Sequence, residues 1–201
     1  MIKNIIFDFG NVLVEYNIKE FMVKKGMSPD MIKRLLKASI MGPFWDEFDR
    51  GVLTEDEAFE GFLSIDPEIG EELHTVFDNI HGMLTKRDFA TDWIKDLKQT
   101  GYNVYYLSNY SKKAFEECAD SVDFIEYMDG GIMSHQVLMI KPDPNIYKLL
   151  LNRYNLKPEE CLFVDDTPQN VEVAQTLGMK GIVYTNKEDV DSYISEIAKE
   201  R

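Results

Sequence analysis

The chain is short of cysteine, short of basic residues and without a long apolar run, and each shortage removes a class of function. Its two cysteines, Cys118 and Cys161, fall in a predicted helix and a predicted buried strand. They read as buried thiols rather than as a disulfide or a metal site. No apolar stretch approaches the roughly 20 residues needed to cross a bilayer. The N-terminus runs into a strand with no signal-peptide pattern, so the expected location is the cytoplasm. Basic residues number 22 against 36 acidic ones, a net charge of −14, which repels phosphate backbones and sets nucleic acid aside as a partner. The same field opposes anionic metabolites, so a phosphate site here must carry its own cations.

The sequence contains neither an internal repeat nor a low-complexity linker, and 201 residues with 44% hydrophobic content suit one domain with an insert. Ile5-Ile6-Phe7 is a buried-strand signal, yet the β pattern then disappears. Residues 17–81 read as an all-helical insert. Ser28-Pro29 is a cap with proline at the first helical position, ahead of a face made by Ile32, Leu35, Leu36 and Ile40. Thr54 with Glu57 forms a capping box, and Pro67 is expected to open a helix with Ile69, Leu73, Val76, Phe77 and Ile80 on one face. From about residue 86 helices alternate with strands, ending on a late strand at 181–184 and a closing helix. That alternation predicts a parallel sheet with helices on both faces. The opening strand has no other sheet to join. The predicted fold is therefore α/β: a Rossmann-like parallel-sheet core of residues 1–16 and 82–201, with 17–81 as a helical cap domain.

Ligands collect beyond the carboxyl ends of such strands, which is where Asp8 stands, and three later segments repeat the layout of a hydrophobic run followed by polar residues. Asp8 follows the first strand. Val104-Tyr105-Tyr106-Leu107 precedes Ser108-Asn109, Met139-Ile140 precedes Lys141-Pro142, and Cys161-Leu162-Phe163-Val164 precedes Asp165-Asp166, with Thr167-Pro168 as a further capped helix start. Taken singly, each has an ordinary structural explanation: a turn, an exposed lysine, or acids capping a helix. Together they supply a carboxylate nucleophile, a hydroxyl and amide for an anionic oxygen, a cation, and acids suited to a divalent metal. That set describes phosphoryl transfer.

In this order the four segments resemble the motifs of the haloacid dehalogenase-like (HAD) superfamily, whose members are mostly magnesium-dependent phosphatases. The resemblance covers nearly the whole chain and implies a helical cap between the first and second motifs. It implies Asp8 as nucleophile, and Asp8, the carbonyl of Gly10 and Asp166 as direct Mg2+ ligands. Asp165 would act through water, with Asn170 steadying that shell. Ser108 and Asn109 would bind phosphate, and Lys141 would neutralise both Asp8 and the phosphate. One position departs from the pattern. The family usually carries a second aspartate two residues after the nucleophile as general acid, and here that residue is Gly10. A branch of bacterial sugar-phosphate phosphatases, including α-glucose-1-phosphate phosphatase, resembles this chain in its Asp-x-Gly-Asn-Val start and in the segment 44–54, within which Arg50 is a candidate substrate contact. With Gly10 in place, water, the substrate or a cap residue has to serve as the acid.

The expected function is a Mg2+-dependent phosphatase for a small phosphorylated metabolite, a sugar phosphate among the candidates, acting through an aspartyl phosphate. The alternatives are a dehalogenase or phosphonatase on the same fold, or a non-catalytic phosphate-binding relative. A dehalogenase has no need of the acid pair, and a phosphonatase needs a Schiff-base lysine from the cap, where none stands out. A receiver domain also combines Asp, Ser or Thr and Lys, but carries its acidic pair after the first strand rather than the last.

Overall fold

A computed structural model describes residues 1–199. The chain opens with β1 (Asn4–Phe7) and β2 (Val14–Tyr16). Five helices follow: α1 (Ile18–Lys24), α2 (Pro29–Ala38), α3 (Trp45–Arg50), α4 (Glu55–Ile65) and α5 (Gly70–Phe77). Next come β3 (Leu84–Lys86), α6 (Ala90–Gln99), β4 (Asn103–Ser108), α7 (Lys112–Glu117) and β5 (Gly130–Met133). The last elements are α8 (Pro144–Arg153), β6 (Cys161–Asp165), α9 (Pro168–Thr176), β7 (Lys180–Val183) and α10 (Lys187–Lys199). Among the described residues, no helix is long and apolar enough to cross a membrane.

Strands β5-β4-β1-β6-β7 form one sheet, in which every neighbouring pair is parallel. A parallel sheet needs cover on both faces, and the period-two alternation of its side chains supplies two apolar surfaces. Ile5, Phe7, Val104, Leu162 and Val164 face one core, which continues without a break into Phe21, Leu35, Trp45 and Phe62 of the helical insert. Ile6, Leu107 and Phe163 face the other core, closed by Ile146, Leu150, Val171 and Ala174. The fold is the Rossmann-like α/β arrangement that the alternation of elements predicts, and both cysteines are buried free thiols.

β1 is the central strand, paired with β4 on one side and β6 on the other. Register sets Phe7 opposite both Tyr106 and Val164, so the residues just past these positions emerge at one edge of the sheet. The chain runs outward from β1 through β4 to β5 and returns to β6. The sheet's topological switch point therefore lies beside Asp8.

Several local expectations are corrected. Pro67 does not open a helix: α5 starts at Gly70, Ile69 stands at its N-cap and Ile80 lies past its end. The cause is tertiary, because Arg34 grips Asp66 through Nε at 2.7 Å and Nη2 at 2.6 Å and fixes the turn ahead of the helix. The short hydrophobic run Met139-Ile140 lies outside the sheet, and Lys141 is carried on a loop after a residue with positive φ, Leu138 at 56°. Thr167 precedes α9 without capping it through its side chain. Its hydroxyl instead donates to Asp166 Oδ1 at 3.3 Å. The β2–β3 ribbon, antiparallel with Glu15 opposite Thr85, carries no signal in the sequence. Two three-residue strands about 70 positions apart leave no periodic pattern to detect.

Candidate active site

Asp8 is held in place from two sides. Its N–H donates to Val164 O at 2.9 Å, which continues the β1–β6 ladder by one residue. Its Oδ1 accepts from the N–H of Phe9 at 2.6 Å and pairs with Lys141 Nζ at 2.9 Å. Lys141 Nζ also reaches Asp165 Oδ2 at 2.6 Å, so one ammonium bridges two carboxylates drawn from adjacent strands. These side chains are nearly removed from water, at 1% exposure for Lys141, 0% for Asp165 and 11% for Asp8. Burial pushes the Asp8 carboxyl up to about 6. Lys141 opposes that shift, while the charge of Asp165 adds to it. Burial also works against the Lys141 ammonium, but the two carboxylates outweigh it and hold its pKa above the ordinary lysine value.

Both oxygens of Asp165 have further partners. Thr167 N–H donates to Oδ1 at 2.8 Å, and Asn170 Nδ2 reaches Oδ1 at 3.0 Å and Oδ2 at 3.1 Å. Asp166 is half-buried, and its Oδ2 accepts from Asn11 Nδ2 at 2.8 Å. Asn11 adopts φ of 56°, a left-handed conformation that asparagine tolerates better than most residues. Sequence reasoning did not assign Asn11 a role; its place beside Gly10 in the loop after β1 was the available signal.

Carboxylate oxygens of Asp8, Asp165 and Asp166 lie within 4.8 Å of one another. Three carboxylates against one ammonium leave two negative charges to balance, which suits a divalent cation. Hard oxygen donors favour magnesium or calcium. The cluster could hold such an ion, with Asp165 acting directly or through water. Ser108, at the end of β4, is buried close enough to Asp8 to favour its charged form, yet its hydroxyl makes no hydrogen bond of ordinary geometry. A buried hydroxyl left in this state is expected to have a partner in the working site.

Two predicted contacts are placed differently. The Asn109 amide is engaged at both ends by the backbone of Lys141, donating to its carbonyl at 3.0 Å and accepting from its N–H at 2.8 Å. It clamps the lysine loop against β4. Arg50 stands apart from the cluster in the last turn of α3, where Nη2 meets Glu47 Oε1 at 3.4 Å. Its neighbour Asp49 is the residue that faces inward. With Gly10, Tyr16, Trp45 and Tyr110 it lines a cavity of about 50 Å³ between the helical insert and the sheet edge. Burial, reinforced by the charge of Asp46, pushes its carboxyl up to about 7.

Two buried carboxylates bridged by an ammonium, with a third carboxylate beside them, stand at the switch point of a parallel sheet, where group-transfer sites of the hydrolase kind are found. The profile of the haloacid dehalogenase-like hydrolases matches residues 2–178, and the chain belongs to that family. D-ribitol-5-phosphate phosphatase of Bacteroides thetaiotaomicron is 30% identical over 193 residues, covering 90% of this chain and 90% of that protein. Drimenol cyclase drtB of Aspergillus calidoustus is 28% identical over 98% of this chain, which spans only 37% of that protein's length. Among solved structures, a HAD family enzyme from Bacteroides thetaiotaomicron in complex with magnesium and inorganic phosphate superposes with a TM-score of 0.70. It is 22% identical over 94% of this chain and 99% of its own, a likeness of fold.

Proposed function

We propose that this HAD-like hydrolase is a magnesium-dependent phosphatase that hydrolyses a small phosphorylated metabolite through an aspartyl phosphate on Asp8. The observation that carries the reading is Lys141 bridging Asp8 and Asp165, with the unpartnered hydroxyl of Ser108 beside them. Asp8, the carbonyl of Gly10 and Asp166 would hold the magnesium ion, with Asp165 behind them. When bound, the ion supplies charge neutralisation that lets an anionic nucleophile approach an anionic phosphate.

The chain's own residues divide the remaining work. Asp8 attacks phosphorus and forms the acyl phosphate, splitting one difficult displacement into two. Ser108 donates to a phosphate oxygen, and Lys141 balances the charge that Asp8 and the phosphate bring together. Asn109 fixes the loop carrying Lys141, and Asn170 with Thr167 holds Asp165 in place. Residues 17–81 act as a cap over a core of 1–16 and 82–201. Small-molecule sites typically occupy about 300–1,000 Å³, far more than the present cavity of about 50 Å³. In this reading the cap parts from the core to admit substrate.

The phosphatase relative that matches along nine-tenths of the chain supports a phosphorylated metabolite, and sugar phosphates are the first class to test. We place the protein in the cytoplasm, with no nucleic-acid partner. A screen of phosphorylated metabolites for phosphate release, with magnesium and with excess chelator, tests the reading. Release that depends on magnesium is expected. Phosphate release untouched by chelator would overturn the role of magnesium, and no release from any phosphate ester would favour the dehalogenase alternative, which has no need of the acid pair.

A further inference from the structure

The proposed chemistry leaves one proton without a donor. An alkoxide leaving group must be protonated as the P–O bond breaks, and Gly10 stands where the HAD pattern puts an acid. The structure is open at that point, because a Cβ built on Gly10 meets no atom within 4 Å. Gly10 and Asp49 line the same cavity, and Asp49 is the only carboxylate among its lining residues.

Resting on the phosphatase reading, we infer that Asp49, carried in from the helical insert, is the general acid and base that replaces the missing aspartate at position 10.

Asp49 is held firmly enough for such a role. Ser134 Oγ donates to its carbonyl, tying α3 to the loop after β5. Two residues on, Gly51 at φ of 81° backs onto His135 so closely that an added Cβ would lie 2.9 Å from the His135 carbonyl oxygen. The end of α3 is thus seated on the core, although the rest of its helix belongs to the insert. The residue keeps some surface exposure, but its carboxyl is enclosed. The indole of Trp45 and the backbone N–H of Ser111 lie near enough to favour its charged form, and it has no cation partner among the described residues.

The other titratable groups facing this space are poorer candidates. Tyr16 on β2 and Tyr110 after β4 are both pushed above the usual phenol range by burial, so neither exchanges a proton readily near neutrality. Lys113 on α7 is occupied by Glu55 and Glu117, each at 2.7 Å. Asp46, on the same helix as Asp49, is exposed and contributes only its charge. A carboxyl near 7 carries its proton part of the time at neutral pH, as an acid that must also act as a base requires.

In the first half-reaction Asp8 bonds to phosphorus, the bond to the leaving oxygen breaks, and the Asp49 proton passes to that oxygen to release the alcohol. In the second, the Asp49 carboxylate takes a proton from water as its oxygen bonds to phosphorus. Asp8 is then released with inorganic phosphate, and Asp49 is protonated again.

The test compares kcat/KM for p-nitrophenyl phosphate and for a primary alkyl phosphate in wild type, Asp49→Asn and Asp49→Asn with Gly10→Asp. Asp49→Asn should lose about 10²–10⁴-fold on the alkyl ester and less than about tenfold on the aryl ester, whose leaving group needs no proton. Adding Gly10→Asp should recover alkyl activity. Wild type supplies a check that needs no folded variant: its alkyl-to-aryl rate ratio should fall as pH rises through about 7, as Asp49 loses its proton. Equal losses on both esters, an unchanged Asp49→Asn enzyme, or a ratio that ignores pH would each overturn the role of Asp49 alone. A wild type that leaves the aryl ester intact would overturn the phosphatase reading, and the role of Asp49 with it.

Discussion

Replacing Lys141 with methionine keeps most of the aliphatic stem and removes the charge that holds the site together. In the wild type its Nζ lies 2.9 Å from Asp8 and 2.6 Å from Asp165, with all three side chains largely withdrawn from water. The variant would leave two carboxylates facing one another in a low-dielectric interior with no cation between them. Removing one partner from a buried ion pair typically costs about 3–5 kcal/mol, because the other charge stays behind uncompensated. At about 2–4 °C per kcal/mol for a chain of this size, the melting temperature should fall by about 6–20 °C. Differential scanning calorimetry without added metal measures this directly. The same reasoning fixes the sign of a second change. Adding Asp165→Asn to Lys141→Met removes one of the stranded charges while keeping an acceptor for the N–H of Thr167, so it should raise the melting temperature relative to Lys141→Met alone. A Lys141→Met protein melting within about 3 °C of wild type, a loss of only about 1 kcal/mol, would refute the claim that this lysine neutralises a buried acidic pair.

Asp8→Asn preserves the shape of the nucleophile and removes its charge, so phosphate release should vanish while the circular dichroism spectrum stays that of the wild type. Activity within about tenfold of wild type, a barrier change of only about 1.4 kcal/mol, would take Asp8 out of the nucleophile role. Asp49 should also leave a trace in stability. Its folded carboxyl near 7 lies above the ordinary aspartate value of about 3.9, so between those limits the folded state keeps a proton that the unfolded chain has lost. Its contribution to stability therefore declines as pH rises from about 4 to about 7 and is flat above that range. Chemical denaturation of wild type and Asp49→Asn at pH 5 and pH 8 should show the variant gaining on wild type at the higher pH, and parallel pH dependence would contradict the enclosed carboxyl.

The sequence by itself determined the parallel sheet, the helical insert and the residues that end its central strands. These are local patterns: apolar runs of strand length, caps at Ser28 and Thr54, and polar residues directly after Phe7, Leu107 and Val164. Once strand order places β4 and β6 on either side of β1, register brings Asp8, Ser108 and Asp165 to one edge. Tertiary structure decided the rest, wherever a role depends on which partner arrives from a distant part of the chain. Asn109 follows its strand as a phosphate ligand would, but the Lys141 backbone, 32 residues away, claims its amide at both ends. Arg50 and Asp49 are neighbours on one short helix. Only the seating of that helix against Ser134 and His135 turns the carboxylate inward, while the guanidinium pairs with Glu47. Pro67 has the local chemistry of a helix start, and the Arg34–Asp66 contact moves the start to Gly70. A proton donor to stand in for Gly10 lay beyond reading from the chain, because the candidate is brought across the cavity by the packing of the insert on the sheet.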